Sequence, residues 1–451
     1  MRRWLFSIAI VIVAAFLAAP MTCGWAAAAE DADASAAEDM PEVKPLVWSG
    51  TVNLGMFLAH RAFFGGNPYF GAEPEDTDFG WMEAFARLQL EVSPSPWMAA
   101  SVGAAVFGTG ATDYYGLRND GSVLLDRAQV SFPSIGDSDF SLAVGRQDIV
   151  IGDGFIIGDG YLDHEGALWT MPLSFFDAAR VDFETGGWHV TAMGALLSSS
   201  FSGEIPDPED PESVVEVEPD GEMYGLDAAY TWGERASAGL GVFLRSDRGD
   251  TDNDAAIVAL RGSAALTGVT FAGELGIEGG KIQGTDLRGY AYHVDATHTF
   301  CEESETYAKA SFLFFSGDKT DTEKNEGYYP WFYRWNDWSQ YYVGDIVGST
   351  MILNSDARIM VLEGGYKPAE AWGLRLLLHR MDLDTGSSIG GLPSGTSRHF
   401  ADEVNVVADY TLNDAWSFWA MTAFAKPGDA AKAAYGDDDA TELFLNATFS
   451  F

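Results

Sequence analysis

From Leu46 to Phe451 the chain repeats one pattern: polar and apolar residues alternate along stretches whose connections are short and long in turn. The last stretch shows the logic. Leu443, Leu445, Ala447, Phe449 and Phe451 fall on one parity, and Glu442, Asn446, Thr448 and Ser450 on the other. Period two places these sets on opposite faces of a strand, so one face suits hydrocarbon and the other water. Glu403, Asn405, Asp409 and Thr411 oppose Val404, Val406, Ala408, Tyr410 and Leu412 in the same way.

The pattern predicts strands over 46–60, 79–92, 96–109, 122–132, 138–151, 172–184, 187–199, 221–232, 235–246, 254–266, 268–281, 286–299, 304–317, 350–367, 370–382, 400–412, 414–426 and 440–451. That is an all-β chain, a transmembrane antiparallel β-barrel of about 18 strands, an even number as bacterial single-chain barrels have. An even count puts Leu46 and Phe451 on one side. A soluble sandwich or propeller also alternates. It does not require the short-long rhythm, or strand ends marked by Trp48, Trp81, Trp97, Trp188, Trp232, Trp372 and Trp416. Phe451, a terminal aromatic on an apolar face, resembles the signal by which barrel-insertion machinery recognises its clients.

Ahead of the barrel, Arg2 and Arg3, an apolar run from Trp4 to Ala19 and small residues at Ala26 to Ala29 read as a signal peptide over 1–29. A retained anchor and a lipidated Cys23 are the alternatives. The apolar run is about 16 residues, short of the roughly 20 a spanning helix needs. Residues 30–45, acidic and broken by Pro41 and Pro45, read as a flexible periplasmic lead-in to a barrel over 46–451.

Net charge is −41, and −43 once Arg2 and Arg3 are removed, which excludes bulk attraction to nucleic acid phosphates. Aromatics at 13% argue against disorder as the cause of that acidity. Beyond the leader only Cys301 is left, so no intrachain disulfide is available.

Three stretches resemble the alginate-export family of outer-membrane barrels. The first carries Asp126-Arg127-Ala128-Gln129, Val144-Gly145-Arg146-Gln147-Asp148, Gly152-Asp153-Gly154 and Phe176-Asp177-Ala178-Ala179-Arg180. The second is Phe315-Ser316-Gly317-Asp318 with Tyr342-Val343-Gly344-Asp345, and the third is the closing strand pair around Phe424 to Asp429. The resemblance implies an 18-stranded monomer in the outer membrane. Its narrow pore would be lined by arginines that attract a polyuronate, here Arg127, Arg146 and Arg180, with Arg87 a weaker match.

Alternation supports part of this. Arg87 shares a face with Glu83 and Gln89, Arg127 with Gln129 and Ser131, Arg180 with Asp182, and Lys309 with Ser311. These faces oppose apolar ones and point inward. Arg146 shares parity with Phe140, Leu142 and Val144, so either a bulge intervenes or it lies near a rim. Unlike the alginate exporters, the inward faces also carry Glu83, Asp182, Glu274, Glu278, Asp295, Glu403, Asp409 and Glu442. Pairing with these acids and selectivity for an anion are therefore both open roles for the arginines.

Chemical motifs are weak. Asp250, Asp252 and Asp254 start like a calcium loop, but Ala255 and Arg261 stand where glycine and glutamate belong. His164-Glu165 lacks the second histidine of a zinc protease. His293 beside Asp295 is the best catalytic pair on offer, and the chain reads as a non-enzyme needing no cofactor. The aromatic run from Tyr328 to Trp338 suits stacking on sugar rings in the mouth, or packing on itself. The reading is a channel in contact with lipid, passing an anionic polysaccharide or small solutes. A general porin is the alternative, then a barrel enzyme or an adhesion barrel.

Overall fold

The computed structural model describes residues 44–61, 78–112, 121–135, 138–158, 161–162, 174–198, 203–206, 214–217, 220–248, 253–282, 284–319, 321–329, 344, 346–347, 355–386 and 396–451. The leader over 1–29 and the lead-in expected over 30–45 lie outside them up to residue 43, and Lys44 and Pro45 already belong to the first strand.

Eighteen strands form the wall: β1 (Lys44–Arg61), β2 (Asp78–Ser95), β3 (Met98–Thr112), β4 (Gly121–Phe132), β5 (Phe140–Gln147), β6 (Ser174–Thr185), β7 (Trp188–Ser198), β8 (Asp220–Trp232), β9 (Ala236–Arg248), β10 (Asn253–Leu266), β11 (Val269–Ile282), β12 (Tyr290–Cys301), β13 (Thr306–Phe315), β14 (Ala357–Ala369), β15 (Trp372–Leu383), β16 (His399–Asn413), β17 (Trp416–Pro427) and β18 (Ala440–Ser450). Each pairs antiparallel with the next. The ring closes where β1 meets β18, from Thr51 opposite Ser450 to Arg61 opposite Ala440. Closure matters because an open edge in hydrocarbon leaves backbone groups without partners.

The expected rhythm is present. Tight turns join the strands at one rim. Thr267 and Gly268, with φ of 49° and 82°, join β10 to β11, and Gly186 and Gly187, with φ of 55° and 90°, join β6 to β7. Positive φ at both central positions matches the right-handed twist of paired strands. The start of β1 and the end of β18 lie at this same rim, so Leu46 and Phe451 share a side as the even count requires.

The two faces differ as alternation demands. Outward Leu226, Leu362 and Leu376 are 57%, 58% and 45% exposed, whereas inward Asn405 and Asp227 are 0% and 2% exposed. Buried polar groups with bare apolar ones invert the order of a protein that meets water outside, and they fit a wall facing lipid. A belt of rings follows the tight-turn rim: Trp97 on Phe132, Trp188 and Trp232 on Tyr230, Trp372 on Tyr410, and Trp416 on Phe449. Such girdles sit at headgroup level. Tyr290 and Tyr292, both against Phe314, mark the other rim.

Differences from the expected strands have local causes. The wall strand expected to run to residue 151 ends at Gln147. Ile149 and Ile151 continue its alternation, but there the chain has turned into the lumen. The strand expected over 286–299 is split into a short piece, Thr285–Leu287, and β12. The strand expected from residue 350 begins at Ala357.

Phe451 seals the seam. Gly50 donates to the Phe451 carbonyl at 2.9 Å, and Phe451 donates back at 3.0 Å. Gly50 leaves room for the ring, because a Cβ there would come within 2.4 Å of it. Replacing Phe451 with Asp puts a charge beside Phe449 on the apolar face. We expect the heat-modifiable folded fraction on gels to fall well below wild type, and an undiminished fraction would show that the seam does not need the ring.

Candidate functional site

Inside the barrel, the connection from β5 to β6 leaves the wall and folds into the lumen as a hairpin. The Ile151 amide donates to the Ile157 carbonyl at 2.9 Å, and the turn is tightened by Gly154 donating to Ile151 at 3.2 Å. Gly152 and Gly154 adopt φ of 67° and 83°, the left-handed region that glycine enters without strain. The side chain of Asp153, between them, accepts the Phe155 amide at 3.1 Å.

The hairpin spans the lumen from one wall to the other. At its base Asp148 pairs with Arg127 of β4. At its tip Asp153 meets His293 of β12 at 2.8 Å. Phe155 packs on the His293 ring at 4.7 Å and on Phe315 of β13 at 5.8 Å. Ile156 fills the space over Gly276, where a Cβ would lie 2.4 Å from it. Gly152 lies against Arg261 and Glu274, again with no room for a side chain.

Arg261 of β10 grips Asp227 of β8 through both terminal nitrogens, at 2.5 Å each. Asp227 is 2% exposed, so this carboxylate depends on its guanidinium for charge compensation. His293 Nδ1 lies 2.9 Å from Asp295, whose other oxygen faces Lys309 at 3.6 Å. Glu274 completes the group, with both oxygens buried and accepting no hydrogen bond from a described residue.

The candidate residues read from the sequence separate into two groups. Arg87, Arg127, Arg180, Asp182, Lys309 and Glu83 all lie on the inward faces of their strands. Arg87 pairs with Asp126, Arg127 with Asp148, and Arg180 with Asp182 at 2.7 Å. Asp182 also accepts the Thr191 hydroxyl at 2.6 Å. Along the register, Arg127 faces Gly103, which faces Gln89, one inward step from Arg87.

Arg146 is the correction. It pairs with Ala128 and Asp177 without any register shift along β5, so it shares the outer face with Val144, not the pore. It lies one residue from the end of its strand. Asp177 takes it in a forked pair at 2.9 and 2.8 Å, and the Leu125 carbonyl, beyond the last β4–β5 pair, accepts from it at 2.7 Å. The two charges cancel where an isolated arginine facing lipid is costly.

Sequence reasoning missed Asp126, Asp148 and Asp153. Parity places Asp126 outward, but a register shift between Gly103 and Ala104 leaves it opposite no residue and turns it in beside Arg127. Gly152 and Gly154 flanking Asp153 were the available signal for a sharp inward turn.

A second connection, between β13 and β14, also enters the mouth. Glu278 of β11 accepts the Tyr329 amide at 2.8 Å, and Glu403 of β16 accepts the amides of Ile346 and Val347 at 3.2 and 3.1 Å. Burial, with Glu278 nearby, pushes the Tyr328 phenol well above its ordinary range. Of the aromatic run, Tyr328 and Tyr329 are described, and residues 330–338 lie outside the described residues, as do Asp250 and Asp252. Helix α1 (Asp429–Tyr435), between β17 and β18, buries Ala430 and Ala431.

No protein-family model matches the chain, and no curated protein does. Solved structures share its fold. The outer membrane protein OprD of Pseudomonas aeruginosa superposes with a TM-score of 0.54 at 12% identity, covering 92% of this chain and 97% of its own. OpdQ of the same organism gives 0.56 at 11%, with 90% and 97% covered. OccAB4 of Acinetobacter baumannii gives 0.55 at 11%, with 91% and 99% covered. The chain is therefore similar in architecture to these barrels over nearly its full described length.

Arg261→Met leaves Asp227 buried without its partner. We expect a loss of about 3 kcal/mol, the usual cost of breaking a buried ion pair, read from the urea midpoint of the refolded barrel in detergent. The double change with Asp227→Leu should recover most of it.

Proposed function

We propose that this chain is an outer-membrane channel for small solutes, with a lumen that favours cations. The barrel resembles solved barrels of which one is named an outer membrane protein, and its outer face suits lipid. The observation that carries the selectivity is the pairing of the lumenal arginines. Arg87, Arg127, Arg180 and Arg261 each stand beside an aspartate. Glu83, Glu274 and Glu442 are further inward carboxylates, all under 4% exposed. Fixed charges act strongly on ions in a narrow, partly desolvated pore, and here they sum to a negative field.

A polyanion such as alginate asks for arginines whose charge faces the path. In this lumen those charges are spent on the wall and on the hairpin base, so the lining supports small solutes over the polymer. The inward hairpin supplies the narrowing that a solute channel needs. No residue of the lining is required to act as an acid, base or nucleophile in this role.

Reversal potentials across planar bilayers in a KCl gradient test the proposal. The expected sign is cation preference. Arg180→Ala, which releases Asp182, should strengthen it. Anion preference in the wild type would return the arginines to the role of a selectivity filter. A barrel that inserts without conducting would favour the structural or adhesive reading.

A further inference from the structure

The tip of the hairpin and the far wall bring together three side chains able to ligate a metal ion. Asp153, Glu274 and His293 each present a ligand atom, and all three lie within 4.8 Å of one another. They come from separate elements, the hairpin, β11 and β12, and Phe155 and Ile156 pack beside them. We propose that they form a binding site for a divalent transition metal ion of the Zn2+ class, which ties the hairpin to the wall.

Three independent features support the site. Glu274 is 3% exposed, and neither of its oxygens accepts a hydrogen bond from a described residue. A buried carboxylate facing a second carboxylate, Asp153, is satisfied by a shared proton or by a cation between them. Arg261 stands close, but its terminal nitrogens are committed to Asp227.

The histidine is also arranged as a ligand. Its Nδ1 faces Asp295 at 2.9 Å, which leaves Nε2 directed at Asp153. Ligating histidines characteristically give their other ring nitrogen to a carboxylate, which fixes the tautomer. Asp295 is in turn held by Lys309 at 3.6 Å.

Distances are compatible with the ion. Ligands at about 2.0–2.2 Å from a tetrahedral metal stand about 3.4 Å apart. Here the Asp153–His293 edge is 2.8 Å and the widest edge is within 4.8 Å, so the first opens by about 0.6 Å and the others close by at most about 1.4 Å. One nitrogen and two carboxylate oxygens suit zinc, with water in the fourth position.

The test is equilibrium binding of Zn2+ to the folded full-length barrel in detergent, over a millimolar Mg2+ background that occupies the acidic surface. Because no current is measured, the result stands apart from the channel reading. We expect one saturable site per barrel. Glu274→Gln and Asp153→Asn should each weaken it at least tenfold, and Asp295→Asn by about tenfold through the orientation of His293. Asp153 lies off the strand ladder, so its variant tests the site even if a wall variant misfolds; heat-modifiable migration reports folding in each case. No saturable binding above the Mg2+ background overturns the proposal. So does binding that Asp153→Asn leaves unchanged in a folded barrel.

Discussion

Everything in this molecule depends on the pairing of β1 with β18. A strand has two edges, and hydrocarbon supplies no partner for either. Eleven residues from Thr51 to Arg61 meet the last strand and remove both edges at once. Once the ladder is closed, alternation sorts the side chains without further instruction. Leucine and valine go out to lipid, and most polar groups of the wall strands point inside, the outward Arg146–Asp177 pair excepted. The single-file logic of the sequence follows from that closure.

The second consequence concerns charge. A lumen partly filled by loops is drier than open water, and an unpaired charge there is costly. The chain answers by giving Arg87, Arg127, Arg180 and Arg261 an aspartate each, from another strand, from the same strand or from the hairpin. Some carboxylates have a different use. Glu278 and Glu403 accept amides from the loop between β13 and β14, so they hold backbone in place. Glu278 and Glu403 thus serve as pegs for a loop.

How much of this was legible depended on whether the information was periodic. All the wall strands followed from alternation, and so did the inward orientation of Arg87, Arg127, Arg180 and Lys309. The outward Arg146 was visible as a parity conflict, although resemblance to a family motif drew it toward the pore. What alternation cannot express is a bulge or an excursion. Asp126 is inward because the ladder slips by one residue at Gly103. Asp153 reaches His293 because the chain leaves the wall at Asp148, and no local pattern states where a loop will land. His293 and Asp295 were recognised as a pair and Glu274 as an inward acid directly opposite on the preceding strand, but Asp153 came from the hairpin, distant in sequence.

The hairpin has a mechanical meaning as well. A wide ring of strands is a thin shell, and a thin shell under lateral pressure flattens into an oval with little change in its hydrogen bonds. Residues 148–157 form a strut between β4 and β12, fixed at one end by Arg127 and at the other by His293. A tie of this kind sets the distance between opposite walls, so the cross-section of the tube is held by one short segment of chain, and the many strands around it only need to keep their neighbours.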